Sequence, residues 1–282
     1  MFQTTYQQLS NELDWGQVAL LPWDSDIFGF PVGEFRMGDA SAIANHLDDF
    51  RAAYARWAGA NQVELAACSI PVDDAPRRAV MSSLNFEYVD TTLEAMNHRV
   101  QKTDLPKTHM LVRDATLADK PRVEEIAEHA FRYGRYHADF RFPVELANKR
   151  YRVWLNNAFK TLGPTSHIYV VESAGKVNGF FHTNIVGEQG NMTILAIDPA
   201  ARGARTTMDF TVGCFQKMKD YGLRRIQSKI SAANIDIGNI LIYFGFHFGH
   251  PQALYHWHAP NAPHLRSWKE MFAEPARAEA GK

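Results

Sequence analysis

The chain has 282 residues, enough for two compact domains of roughly 140 residues each. Hydrophobic residues make up 46% and charged residues 22%, a composition that excludes a disordered, collagenous or coiled-coil protein. The formal net charge is −1, so the chain lacks the basic excess of a general nucleic-acid binder, and we expect no nucleic-acid partner.

The first half of the chain alternates strands and helices. Apolar spacing and turn residues predict extended segments at 28–37 and 63–70, and helices at 40–58 and 73–84. A pair of strands is predicted at 85–100.

A polar stretch at 101–109 carries Pro106 and indicates a linker between two patterned regions. We therefore predict a first domain at 1–104, a second domain at 110–265, and a C-terminal tail at 266–282, of which residues 273–282 are expected to fray.

The second half repeats the same alternation at greater length. Its predicted elements are a strand and helix at 110–131, a helix at 144–160, a hairpin at 168–186, a strand at 191–198, a turn and long helix at 199–223, a strand at 224–230, a short helix at 233–244, and closing strands at 245–248 and 253–259. The predicted fold class is α/β (α+β), a mixed, mostly antiparallel sheet flanked by helices.

Two cysteines, Cys68 and Cys214, stand far apart in apolar contexts, which argues against a disulfide framework and a cysteine zinc site. The N-terminus shows no basic segment followed by an apolar one, and no run approaches the ~18 apolar residues of a membrane helix. We predict a soluble cytoplasmic protein with no membrane partner.

The strongest functional signal is the strand–turn–helix sequence ILAIDPAARGARTTMDF at 194–210, with Arg202 and Gly203 in the turn. Unpaired backbone N–H groups at a helix start bind anions, so a phosphate or pyrophosphate is the natural ligand. The alternative is a junction that needs a glycine only to turn the chain.

The chain from 110 to 258 resembles the GNAT family, the GCN5-related N-acyltransferases. The resemblance rests on VRDATLADKPRVEEIA, the hairpin, ILAIDPAARGA, and the segment from Asn234 to Gly245 and Phe246. The family pattern at the turn is R/Q-x-x-G-x-G/A. Arg202 fits its first position, and Arg205 and Thr207 fill the two later small positions.

The resemblance implies acyl-coenzyme A (acetyl-CoA or a hydroxyacyl-CoA) as co-substrate. It implies a set of cofactor-binding residues in which backbone amides hold the pyrophosphate and a strand edge pairs with the pantetheine arm. The amides are those of Arg202, Gly203, Ala204, Arg205, Thr206 and Thr207; the strand edge is Leu195, Ala196 and Ile197, and Asn234 completes the set. Arg205 either reaches a phosphate or crowds the loop.

A closer resemblance covers nearly the whole chain. LPWDSDIFGFPVGEF at 21–35 and AFRYGRYHADFRF at 130–142 are similar to sugar-nucleotide N-acyltransferases of the TDP-fucosamine acetyltransferase type. That likeness implies an N-terminal degenerate GNAT-like half domain, and as acceptor a TDP-linked amino-deoxysugar used in surface polysaccharide and lipopolysaccharide biosynthesis. Trp23 and Phe28 are the substrate-binding candidates of the first motif.

Residues 131–152 indicate an anionic, base-bearing acceptor by themselves. Arginine binds phosphate bidentately and aromatic faces stack on a base. The cations are Arg132, Arg135, Arg141, Arg150 and Arg152, and the aromatic residues are Phe131, Tyr133, Tyr136, Phe140 and Phe142. His137 and Asp139 are candidates to hold sugar hydroxyls. The alternative is a solvated loop with helix-capping aromatics.

Acyl transfer to an amine needs a neutral amine, a polarised thioester and a proton for the leaving thiolate. The family places a tyrosine acid where this chain has Leu241, so Tyr243 is the acid candidate; the alternative is a core aromatic residue beside Phe244. His182 is the candidate base, with His137 as competitor.

His256 and His258 alternate on a strand, with His247 and His250 nearby, and so raise the question of a metal. Because no carboxylate or thiolate in the sequence pattern completes a ligand set, we predict none.

We therefore predict an N-acyltransferase acting on a TDP-linked amino-deoxysugar. The alternatives are an acetyltransferase of another small amine or of a protein N-terminus, and a catalytically degenerate GNAT module that binds a ligand. The sequence leaves the acyl chain, the sugar and the oligomeric state open, and is compatible with a homodimer.

Overall fold

The computed structural model describes most of the chain, namely residues 4–108, 110–173, 175–260, 262–266 and 268–273. The chain divides into two compact units that are discontinuous in sequence. The first unit comprises residues up to 91, 134–147 and those from 252 onward; the second comprises 92–133 and 148–251. The domain limits at 104 and 110 stay a prediction, and residues 267 and 274–282 of the predicted tail lie outside the described residues.

The strands among the described residues are β1 (Gln7–Gln8), β2 (Gly16–Leu20), β3 (Val32–Met37), β4 (Leu65–Pro71), β5 (Glu87–Asn97), β6 (Leu111–Asp114), β7 (Ser166–Ser173), β8 (Lys176–Val186), β9 (Gln189–Ile197), β10 (Arg225–Ser231), β11 (His247–Phe248) and β12 (Gln252–His258). The helices are α1 (Pro22–Phe28), α2 (Ala40–Asn45), α3 (Leu47–Ala60), α4 (Ala75–Ser83), α5 (Lys120–Ala130), α6 (Arg135–Ala138), α7 (Val144–Lys160), α8 (Ala204–Asp220), α9 (Ile235–Tyr243) and α10 (Trp268–Ala273). No helix in the described ranges combines the length and the apolar character needed to cross a bilayer.

The first unit contains a sheet with strand order β1-β2-β3-β4-β12, in which only β3 and β4 run parallel. Its core is rich in aromatic rings, among them Phe35, Phe50, Tyr54 and Trp57. Burying such large side chains supplies much of the free energy that holds a small unit together.

Two predicted elements of the first half are corrected. The helix at 40–58 is broken at His46, whose φ of −132° separates α2 from α3. The strand pair at 85–100 is wrong, because a single strand, β5, runs from Glu87 to Asn97. No glycine or proline interrupts this stretch, so nothing in it turns the chain back.

The second unit contains a sheet with strand order β5-β10-β9-β8-β7-β6, and β11 also pairs with β5. All its pairs are antiparallel except β10 with β9. Helices α5 and α7 pack on one face, against Ile194 and Ala196, and α8 packs on the other, near Leu195 and Ile197. The mixed, mostly antiparallel sheet flanked by helices is confirmed.

Candidate functional site

Strands β9 and β10 pair only at their beginnings. The ladder starts at Gln189 opposite Arg225 and ends at Met192 opposite Ser228. The buried hydroxyl of Ser228 donates to the carbonyl of Met192 over 3.1 Å, which satisfies the last carbonyl before the strands part. Further on, β9 stays paired with β8 alone and β10 with β5 alone. Within the described part of the chain, the β10-facing edge of β9 thus has no strand partner at 193–197, and a free edge can pair with an extended ligand.

A β-bulge lies where the two strands part. His182 of β8 is opposite Ile194 and Thr183 is opposite Met192, so Thr193 is the extra residue on β9. A bulge bends its strand and increases the local twist. The bulge directly follows Met192, the last residue of β9 that pairs with β10.

His182, the candidate base, lies inside the second unit and is only 4% exposed. Its Nδ1 is 2.6 Å from the hydroxyl of Thr193, and its Nε2 is 3.1 Å from the hydroxyl of Ser166. Burial lowers the pKa of His182 to about 4, so the ring is neutral at pH 7. Both ring nitrogens already bond to the chain itself, and this geometry favours a structural role.

The low pKa of His182 makes the stability of the second unit pH-dependent. The unfolded ring titrates near 6.5, so stability is complete above that pH and is lost as the pH falls toward the folded value of about 4. We expect the free energy of unfolding to drop by about 2 kcal/mol between pH 7.5 and pH 5 through this residue alone.

Urea titrations at both pH values, on wild type and on His182→Asn, measure this contribution. The asparagine variant cannot titrate and should show a pH dependence smaller by that amount. Equal pH dependence in the two proteins would contradict the assignment.

Helix α8 begins at the predicted turn without a side-chain cap. Gly203 is its N-cap residue, with an extended φ of 170°. The first helical bond joins the N–H of Thr207 to the carbonyl of Gly203 over 2.9 Å, so the amides of 204–206 have no acceptor within the helix. These amides and the helix dipole of a 17-residue helix favour an anion at this point.

Three arginines flank this helix start. Arg202 donates to the main-chain carbonyl of Ala130, and burial, followed by the charge of Arg132, lowers its pKa. The side chain of Arg205 is 88% exposed and lies 3.9 Å from the carboxylate of Asp209. Neighbouring guanidinium groups repel each other unless an anion offsets their charge. The arrangement therefore favours a phosphate.

Helix α9 carries the predicted Asn234 and Tyr243. Asn234 is the N-cap, and its Oδ1 lies 3.5 Å from the N–H of Ile237. Tyr243 is 64% exposed with its ring edge-on to Phe244, so the alternative of a core aromatic residue is wrong. A small apolar pocket lies between β9, α8 and α9, lined among others by Met192, Leu195, Thr211, Cys214, Ile237 and Leu241.

The acceptor-binding candidates of 134–147 belong to the first unit, where two of their arginines pair with acids. Arg135 lies 3.1 Å from the carboxylate of Asp24, which also accepts from the hydroxyl of Tyr136 over 3.0 Å. Arg141 lies 3.0 Å from Glu87. The sequence pattern did not reveal these acids, because they lie far away along the chain. Their charges compete with a phosphate for the arginines.

The remaining candidates of this group are mostly buried. Phe28 packs edge-on against Tyr136 with ring centroids 4.9 Å apart. His137 is 3% exposed and Trp23 is half-buried. Arg132 is exposed and belongs to the second unit.

Asp139 is the centre of a buried hydrogen-bonded cluster in the first unit. Its Oδ2 accepts from Nδ1 of His256 over 2.7 Å and from Nε2 of His258 over 2.8 Å. Its Oδ1 accepts from the backbone N–H of Arg141 over 3.0 Å. Both oxygens are thus used by the chain itself, and this geometry favours a structural role over binding of a sugar hydroxyl.

This cluster also bears on the question of a metal. The argument that no carboxylate accompanies His256 and His258 is wrong, since Asp139 lies between them and the three ligand atoms are within 4.8 Å of one another. However, both nitrogen–oxygen separations are hydrogen-bond lengths, whereas ligand atoms about 2.1 Å from a tetrahedral zinc lie roughly 3.4 Å apart. The geometry favours hydrogen bonds over metal ligation.

Comparison with known proteins identifies similar folds among solved structures. No protein family model matches the chain, and no curated protein matches it. Among solved structures, a GCN5-related N-acetyltransferase from Sphaerobacter thermophilus superimposes with a TM-score of 0.59 at 13% identity, over 86% of this chain and 76% of that one. A GCN5-related N-acetyltransferase from Kribbella flavida gives 0.58 at 10% identity, over 94% and 93%.

A third similar structure is a tandem GNAT protein from the clavulanic acid biosynthesis pathway. It gives a TM-score of 0.54 at 10% identity, over 87% of this chain and 79% of that one. Such low identities establish the fold and no more. The chain has the GNAT fold.

Proposed function

We propose that this chain is an N-acyltransferase that uses acyl-CoA. The observation that carries the proposal is the open edge of β9 at 193–197, which leads directly into the uncapped start of α8. An extended pantetheine arm fits the first feature and a pyrophosphate fits the second. The GNAT fold supports the same assignment.

In this proposal, different residues of the second unit bind different parts of acyl-CoA. The edge of β9 at Leu195, Ala196 and Ile197 pairs with the pantetheine, and the amides of 204–206 hold the pyrophosphate. Arg132 joins Arg202 and Arg205 near the phosphates, instead of binding the acceptor, because its charge acts on Arg202.

The reaction forms a carbon–nitrogen bond, breaks a carbon–sulfur bond and moves two protons. The neutral amine attacks the thioester carbonyl, the carbon–sulfur bond of the tetrahedral intermediate breaks, and the amine nitrogen loses a proton. Tyr243 gives a proton to the leaving thiolate and regains one from solvent. Water takes the proton of the amine, since the nitrogens of His182 are occupied by Thr193 and Ser166.

As acceptor we propose the amine of a TDP-linked amino-deoxysugar, used in surface polysaccharide biosynthesis in the cytoplasm. The resemblance of 21–35 and 130–142 to sugar-nucleotide N-acyltransferases supports this. The similarity to a tandem GNAT protein supports a degenerate GNAT-like half in the first unit.

The experiment that tests the proposal measures release of free thiol from acetyl-CoA with a TDP-amino sugar, a polyamine and a peptide N-terminus as acceptors. Turnover with the TDP-amino sugar alone supports the full proposal. Turnover with another amine retains the acyltransferase and overturns the acceptor. Binding of CoA without turnover would identify a ligand-binding module, a candidate that Arg205, Thr207 and Leu241 favour, because they depart from the family pattern.

Gly203→Asp should weaken CoA binding by roughly 100-fold or more, because it puts a carboxylate beside the phosphates. The fold should persist, since a Cβ at this position meets only the hydroxyl of Thr206, at 4.0 Å, and the extended φ suits any residue. Calorimetric titration with CoA measures the effect, and Gly203→Asn is the uncharged control. Unchanged affinity in folded Gly203→Asp would remove the turn from the site.

Arg141→Ala should raise the acceptor KM by roughly 10- to 100-fold, because a charge-assisted bond contributes about 1.5–3 kcal/mol. Arg132→Ala should instead raise the KM for acyl-CoA. Steady-state kinetics with each substrate varied separates the two. Glu87→Gln is the control: if it reproduces Arg141→Ala, the arginine only holds Glu87, and its assignment to the acceptor is wrong.

A further inference from the structure

We infer that His182 is a positioning residue, which holds β9 in the bulged shape that opens its edge to acyl-CoA and takes no part in proton transfer. This inference rests on the proposed function, because the edge at 193–197 is where that proposal places the pantetheine. The argument starts from the geometry of the bulge residue, Thr193.

A bulge leaves one residue outside the ladder, and an alternative register without it would return β9 to β10. Thr193 is held in place by two contacts to the same residue of β8. Its hydroxyl lies 2.6 Å from the Nδ1 of His182 and 3.4 Å from the carbonyl of His182. The side chain and the main chain of His182 thus both hold Thr193, the extra residue of the bulge, in place.

The imidazole of His182 is also held on its other side, by a residue of β7. Ser166 on β7, 7% exposed, is hydrogen-bonded to Nε2 over 3.1 Å, so three adjacent strands contribute to the contact chain. A hydroxyl both donates and accepts, so either neutral tautomer of the ring can bond to both neighbours. Burial lowers the pKa of the ring to about 4, so the ring between these two hydroxyls is neutral at pH 7.

The contacts between Ser166, His182 and Thr193 lie directly beside the open edge of β9 at 193–197. The β9–β10 ladder ends at Met192, the residue directly before the bulge. On the next strand, Ser228 fastens the carbonyl of Met192, so the point of divergence is held from both sides. Loosening Thr193 should let the edge beyond it shift toward β10, and the edge should then bind an extended ligand less well.

The decisive variant is Thr193→Val, which keeps the imidazole and removes only the hydroxyl that it holds. The matched control is Thr183→Val, on the neighbouring strand β8, whose buried hydroxyl donates to the carbonyl of Asn191 over 3.1 Å. Thr183→Val loses one internal hydrogen bond, and Thr193→Val loses the bond to the imidazole and the longer contact to the carbonyl of His182. Both variants remove one buried hydroxyl, so a merely structural effect should lower stability in both and leave both Kd values unchanged.

The experiment measures the Kd for CoA by calorimetry, the turnover rate and its pH profile, and thermal unfolding without ligand. We expect Thr193→Val and His182→Leu each to raise the Kd about 10-fold, and their combination to raise it little further. Thr183→Val should keep the wild-type Kd. His182→Asn retains a polar atom toward Thr193 but not the contact to Ser166, so it should raise the Kd less than His182→Leu does and should keep the wild-type pH profile of turnover.

If the turnover rate of His182→Asn fell by about 100-fold or more and one limb of the pH profile disappeared, His182 would be a base and the inference would be overturned. Equal Kd values for Thr193→Val and Thr183→Val would overturn it too. Failure of the wild-type chain to bind CoA would instead refute the proposed function, so the two failures are distinguishable.

Discussion

Replacing Asp139 by asparagine should lower the free energy of unfolding by about 3–5 kcal/mol, because two charge-assisted hydrogen bonds of roughly 1.5–3 kcal/mol each are weakened in a buried place. The carboxylate accepts from His256, from His258 and from the backbone N–H of Arg141. The amide of asparagine is uncharged and offers one oxygen and one N–H₂ group. If the N–H₂ group faces the backbone N–H of Arg141, two donors meet; if it faces His256 and His258, both rings must change tautomer.

Guanidinium unfolding at pH 7.5 measures this loss, with Asp26→Asn as control, since Asp26 is exposed on α1 of the same unit. The control should unfold within about 0.5 kcal/mol of wild type. A loss below about 1 kcal/mol in Asp139→Asn would mean that the histidines find other partners and that the cluster does not hold the segment 134–147 in the first unit.

Elements specified by neighbouring residues could be predicted from the sequence, whereas elements that depend on contacts between distant residues could not. Helix α7 at 144–160, the hairpin of β7 and β8, and the helix after Gly203 were predicted because local apolar periodicity and turn residues specify them. The break at His46 and the single strand β5 depend on tertiary packing, which overrides local preference.

The same reasoning separates the parts of the candidate site. The uncapped helix start was predictable, because the turn and the helix are contiguous in sequence. The bulge at Thr193 was not, since it exists only in the register between β8 and β9. Nor could the pairing of Arg135 with Asp24, 111 positions apart, be seen in the charge pattern of 131–152. A cluster of arginines predicts an anion site only when its charges are not already paired within the chain.

If Tyr243 protonates the departing thiolate, Tyr243→Phe should lower kcat by roughly 10²–10⁴, the usual contribution of a positioned acid. The KM values should change little, because the hydroxyl acts mainly in the transition state. The fold should be unaffected, since the ring is 64% exposed at the last turn of α9 and the substitution removes one surface hydroxyl. Pre-steady-state thiol release measures the chemical step directly.

Tyr221→Phe is the matched control, because Tyr221 is also partly exposed in the second unit and its hydroxyl donates only to the carbonyl of Pro164, over 2.7 Å. It should keep the wild-type turnover rate. Equal rates in both variants would show that the hydroxyl of Tyr243 does not supply the proton. Since the thiolate of CoA is a fair leaving group, water would then protonate it, and catalysis would come from holding the thioester on the edge of β9 against the amine.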